Sequence, residues 1–226
     1  MRYLIRKTAF VSFIFLVVLG VSCTKQAVNT TANRPLKVPQ NVSNKPKIVA
    51  FGDSLTAGFG LLEKESYPYL LQEKLKADGY DFEVINAGVS GDTTLGGLER
   101  IDWVLEMDNI KVLILELGAN DLMRGVPPAK VKANLDTMIR KAKAKNVKVL
   151  LCGMLAPPGN GDYSREFTTL FPDLATQHKV DFLAFLLDGV ALKKEMNQAD
   201  SIHPNAEGEK IMTDNVYKAL KPMLTK

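Results

Sequence analysis

From residue 47 onward the chain alternates. Short apolar runs trade places with longer segments of helical spacing, five times over. "KIVAF" (47–51), "DFEVINA" (81–87), "IKVLILELG" (110–118), "VKVLLCGM" (147–154) and "VDFLAFL" (180–186) read as strands. The third is apolar almost throughout, as expected of a strand covered on both faces. "YPYLLQEKLKADG" has helical spacing and a glycine stop. "TLGGLERIDWVLEM" reads as a helix whose apolar bulk is Leu98, Ile101, Trp103 and Leu105. "PPAKVKANLDTMIRKAKAKN" starts with prolines and ends with basic residues, which suits the two ends of a helix. "YSREFTTLFPDLATQHK" is helical with an expected break at Pro172. A last helix follows "HPNAEGEK", with Ile211, Met212, Val216 and Leu220 as its core face.

Strands that alternate with helices pair in parallel, because each connection must cross back over the sheet. Right-handed crossovers leave few topologies. The expected fold is a three-layer α/β/α, flavodoxin-like domain over residues 46–226. Its five-stranded parallel sheet has order 2-1-3-4-5, with helices on both faces. Ligands in such folds bind beyond the carboxyl ends of the strands. The loops after the strands are therefore the place to look for chemistry.

Those loops hold four polar clusters. Strand 1 ends in "GDSLTAG", with Ser54; strand 2 in "NAGVSGDTT", with Gly88; strand 3 in "GANDLMRG", with Asn120. Past strand 5 comes "ADSIHPNAEG", with Asp200 and His203. A serine hydroxyl attacks a carbonyl only when a base takes its proton. The chain has two histidines. His178 precedes strand 5, on the wrong rim, and reads as a surface residue at a helix end. His203 is on the right rim. Asp200 stands three residues before it, within reach of the ring on a tight turn, and would leave the other ring nitrogen facing Ser54. Pro204 suits the first position of the final helix, whose N-terminus would favour a neutral imidazole. The same four residues also suit a plain capping turn. An acyl-transfer site further needs donors for the oxyanion. The N–H of Ser54, the N–H of Gly88 and the amide of Asn120 are the candidates.

"GDSLTAG" is not a phosphate-binding loop, since no G-x-x-x-x-G-K-[ST] is present. Nor is it a G-x-S-x-G elbow, because Thr56 replaces the second glycine. Taken together, "FGDSLTAGFG", "NAGVSGDTT", "LGANDLMRG" and "DSIHPNAEG" resemble the four blocks of the SGNH (GDSL-type) hydrolases, closest to the thioesterase I, lysophospholipase L1 and arylesterase branch. The likeness covers roughly residues 47–221. It implies a serine esterase acting on carboxylic esters or thioesters through an acyl-enzyme on Ser54. His203 would be the base, Asp200 its partner, and Ser54, Gly88 and Asn120 the oxyanion donors. No metal or organic cofactor is implied. Ser201 departs from the family, which often has glycine between the acid and the base. Asp53 and Asp121 read as residues that shape their loops. An envelope polysaccharide deacetylase would use the same residues. A non-catalytic, membrane-tethered binding module is the rival from another class, and the complete Ser–His–Asp set argues against it.

The N-terminus has a separate character. Residues 1–22 carry Arg2, Arg6 and Lys7 ahead of "AFVSFIFLVVLGVS", then Cys23 follows. A basic start and a short apolar run read as a signal peptide. "VLGVSC" resembles a lipoprotein cleavage site, which makes Cys23 the candidate for lipid attachment; Gly20 stands where such sites usually carry a large aliphatic residue, so cleavage without lipidation and an uncleaved anchor are the alternatives. Residues 23–45 are polar, with two prolines and no aromatic residue, and read as a flexible tether. The expected location is the bacterial periplasm or cell envelope, with a lipid anchor in a membrane. All seven charges ahead of residue 46 are basic, which leaves 22 basic against 25 acidic residues in the domain. A slightly acidic domain speaks against a nucleic-acid partner. Cys152, in an apolar run, reads as a buried strand residue.

Overall fold

The computed structural model describes residues 44–157, 159 and 161–225. The expected signal segment, Cys23 and all but the last two residues of the expected tether lie outside the described residues. The strands are β1 (Lys47–Gly52), β2 (Glu83–Gly88), β3 (Ile110–Glu116), β4 (Lys148–Cys152) and β5 (Asp181–Leu183). They form one parallel sheet in the order β2-β1-β3-β4-β5. The register sets Gly52 level with both Gly88 and Glu116. Three loops thus leave the sheet side by side, with that of β1 in the middle.

The helices are α1 (Ser54–Ala57), α2 (Tyr67–Ala77), α3 (Thr94–Val104), α4 (Ala119–Met123), α5 (Pro128–Ala144), α6 (Gly161–His178) and α7 (Ala206–Leu220). α2 packs against α7 on one side of the sheet, while α3, α5 and α6 pack in a row on the other. Leu113, Ile114 and Leu115 of the central strand are wholly buried between these layers. Each such side chain contributes about 1.5–3 kcal/mol on burial.

Two local expectations fail for tertiary reasons. α6 runs unbroken through Pro172. Phe167, Leu170, Phe171, Leu174 and Ala175 are buried on both sides of the proline, so packing holds the two halves in line against a local cost of about 3 kcal/mol. Trp103 is 71% exposed, although Ile101 and Val104 beside it are buried. Helical spacing puts residue 103 off the stripe that 97, 101 and 104 define. Cys152 is buried in β4 as expected, and burial pushes its thiol upward. No helix among the described residues is long and apolar enough to cross a membrane.

Candidate active site

β1 ends at Gly52, and Ser54 opens the single turn of α1. Asp53 caps that turn, its Oδ1 accepting from the Leu55 N–H at 3.0 Å. The cap fixes Ser54 at the lip of the sheet. The last loop brings His203 to it: His203 Nε2 lies 3.0 Å from Ser54 Oγ, and His203 Nδ1 lies 2.7 Å from Asp200 Oδ2. The other Asp200 oxygen accepts from the backbone N–H groups of Ile202 and His203, at 3.1 and 3.0 Å. The hydrogen bonds from His203 hold the Asp200 carboxyl down at about 2, so it stays ionised. Ser201 makes this turn possible by adopting φ +64°. That left-handed conformation is one glycine takes without strain.

His203 does not open the final helix. Asn205 is the N-cap of α7, accepting from Glu207 and Gly208, and Pro204 stands ahead of that cap. The His203 loop is instead stapled to the Ser54 loop by Gln198, whose amide donates to Phe59 O at 2.6 Å and Pro204 O at 2.9 Å. The Phe59 ring covers the imidazole, with centroids 4.6 Å apart. His178 sits at the end of α6, bonded at 2.7 Å to Asp136 and mostly buried rather than on the surface, with Ser54 nowhere among its partners.

Asn120 lies in α4, nearly buried, and donates one amide hydrogen to Asp53 Oδ2 at 3.0 Å. Its second hydrogen has no acceptor among the described residues. The Ser54 N–H has no acceptor among the described residues. Gly88 is placed otherwise than expected. Its N–H donates to Asn86 Oδ1 at 3.0 Å. Val89 N–H pairs with Gly52 O, so the N–H one residue earlier is directed away from β1 and off the free edge of the sheet. Gly88 is needed for space: a Cβ there would come within 2.3 Å of Ala57 N. In the loop after β2, Gly91 is the glycine whose N–H has no acceptor among the described residues. It holds φ +85° at the third position of a turn closed by Asp92 N–H to Val89 O, at 3.1 Å. A type II turn requires that φ there.

Two buried acids that the sequence motifs do not mark, Glu116 and Glu209, join the loop aspartates Asp53 and Asp121. Glu116 is wholly buried at the end of β3, and its Oε2 accepts from Asp53 N–H at 3.1 Å and Thr56 Oγ1 at 2.7 Å. The signal was present: an acid inside the run "LILELG". Burial raises the Glu116 carboxyl well above the usual range and Asp53 to about 6. Glu209, on α7, accepts from Tyr67 N–H at 2.7 Å, and burial raises it to about 8. Asp121 binds Thr94 through both oxygens, at 2.8 and 2.7 Å, and so ties α4 to the start of α3. Both loop aspartates thus have structural partners.

A profile of the GDSL-like lipase/acylhydrolase family matches residues 50–211. The chain belongs to this family. A relative, esterase TesA of Pseudomonas aeruginosa, is 39% identical over 178 residues, covering 78% of this chain and 89% of TesA. Thioesterase 1/protease 1/lysophospholipase L1 of Escherichia coli is 33% identical, covering 78% of this chain and 84% of that protein. Among solved structures, the esterase EstA from Pseudoalteromonas sp., inhibited by monoethylphosphonate, superposes with a TM-score of 0.74 at 35% identity, over 79% of this chain and 98% of EstA. The GDSL-like chain described here is accordingly a hydrolase of the ester-cleaving kind, on the α/β fold its relatives share.

Proposed function

We propose that the protein hydrolyses carboxylic esters and thioesters of aryl or acyl-chain substrates, lysophospholipids among them, with Ser54 as nucleophile. The observation that carries this reading is one imidazole bonded to both Ser54 Oγ and Asp200 Oδ2. Ser54 Oγ attacks the carbonyl carbon while His203 Nε2 takes its proton. Asp200 fixes the tautomer and faces the imidazolium that forms. The oxyanion is met by the Ser54 N–H, the Asn120 amide and, in place of Gly88, the Gly91 N–H. His203 then protonates the leaving alcohol or thiol, and water attacks the acyl-enzyme by the same route in reverse.

The rim supports an apolar substrate. Phe59, Leu62, Val89, Met123, Leu155 and Ile202 are all large, apolar and 45% or more exposed; Phe59 and Leu62 follow β1, and the others follow β2, β3, β4 and β5 in turn. The reading of residues 1–23 as an export signal ending in a lipidated cysteine supports a place in the cell envelope. Its amphiphiles are then the natural source of substrate.

The test is labelling by a fluorophosphonate, followed by kinetics on nitrophenyl esters of increasing chain length, lysophospholipids and acetylated sugars. Wild type should label on Ser54, Ser54→Ala should neither label nor turn over, and long acyl esters should outrun acetylated sugars. Turnover by well-folded Ser54→Ala would overturn the mechanism. A preference for acetylated sugars would make the protein a deacetylase instead.

A further inference from the structure

Arg100, on α3, makes no contact with the Ser–His–Asp set, yet every donor of its guanidinium that has a partner points at the loops that build the site. Nη2 donates to Gly52 O at 3.0 Å, Nη1 to Ala87 O at 2.9 Å, and Nε to Asp92 Oδ2 at 2.6 Å. The plane of the group lies over the Phe51 ring, 3.9 Å from its centroid. Both charged partners are largely out of water, at 22% and 16% exposure. One rigid fork therefore joins the end of β1, the end of β2 and the turn at 89–92.

Gly52 O belongs to the peptide that joins Gly52 to Asp53, immediately ahead of Ser54. A peptide is planar, with its C=O and N–H opposed. Here the C=O is held by Arg100 Nη2 and Val89 N–H, and the N–H by Glu116 Oε2. A cation grips one end of the plane and a buried acid the other, so the plane cannot turn. The Nε bond to Asp92 extends this grip to the turn that contains Gly91. Only a guanidinium reaches three acceptors in one plane while stacked on a ring; an ammonium is a point donor.

We propose that Arg100 is a positioning residue for ester hydrolysis, locking the peptide ahead of Ser54 to the turn at 89–92 and so fixing the nucleophile relative to the oxyanion donors. The proposal rests on Ser54 being the nucleophile. Loss of the lock leaves substrate binding intact but misplaces the attacking oxygen, which is a defect in kcat.

The experiment compares wild type with Arg100→Lys, Arg100→Gln and Arg100→Ala, using fluorophosphonate label at long times to count competent serines. Dividing kcat by that count removes any unfolded fraction, so a destabilised variant remains informative. Arg100→Lys should lose about 10- to 100-fold in kcat per labelled serine, the usual cost of misplacement by about 1 Å, with KM changed far less. The labelling rate should fall in parallel, and millimolar guanidinium should restore part of kcat in Arg100→Ala. A kcat per labelled serine equal to wild type in both Lys and Gln variants would overturn the proposal, as would a loss carried wholly by KM. A wild type that neither labels on Ser54 nor cleaves esters would instead sink the functional reading on which it stands.

Discussion

Ser201 shows how one residue sets the geometry of the acid and base. Its φ of +64° lets Asp200 fold back to bond both the ring and the backbone N–H of His203. For a residue with a Cβ that conformation costs about 1–2 kcal/mol. Glycine relieves the strain but enlarges the unfolded ensemble, so Ser201→Gly should raise stability by no more than about 1 kcal/mol. Turnover should be unchanged, since neither reacting group moves. Thermal unfolding beside ester kinetics decides it, and a lower Tm would mean that the serine makes up for its strain elsewhere. The resemblance pointed to this position, but its reason appears only in the dihedral. Ser54, Asn120, Asp200 and His203 were legible because chemistry and spacing name them together. Gly88 and Gly91 were not separable, because which N–H faces the cleft depends on strand register. Arg100 was invisible: nothing in "LERI" tells that three carbonyl or carboxylate partners from other elements will meet it.

At the scale of elements, strands and the longer helices could be read in advance because burial on two faces or one stripe dictates period. Trp103 and Pro172 misled because a single residue's preference is weaker than the packing around it. The contact between α2 and α7 carries the clearest pH effect. Glu209 meets the Tyr67 N–H there, buried, with its carboxyl raised from 4.5 to about 8. A raised acid pKa favours the protonated form in the fold. Stability from this group is therefore full below about 4.5, falls as pH climbs, and levels off above about 8. Glu209→Gln keeps an oxygen for Tyr67 but cannot ionise. Its stability should match wild type near pH 4 and exceed it by on the order of 1–3 kcal/mol near pH 8. Denaturant midpoints across that range test this. A constant difference at every pH would show that Glu209 does not titrate between the two limits.

For the molecule as a whole, the described chain enters at Asn44 and runs into β1, whose far end carries Ser54. Six residues of strand, roughly 20 Å, separate entry from the Ser54 loop. Residue 44 thus lies at the pole away from the rim that carries Ser54 and His203. If Cys23 carries lipid, Cys23→Ser should move the protein from the membrane to the soluble fraction. The kcat on a water-soluble ester should be the same in both forms. Membrane association that survives the change would point to residues 1–22 as an uncleaved anchor and remove the lipid.

The buried carboxyls have a further consequence. Glu209 and Glu116 favour their neutral forms inside the fold, whereas an unfolded chain at pH 7 leaves such groups ionised. Folding near neutrality therefore takes protons out of the buffer, and melting gives them back. The heat measured on unfolding includes the heat with which the buffer absorbs those protons, so the same protein will report one enthalpy in phosphate and another in Tris.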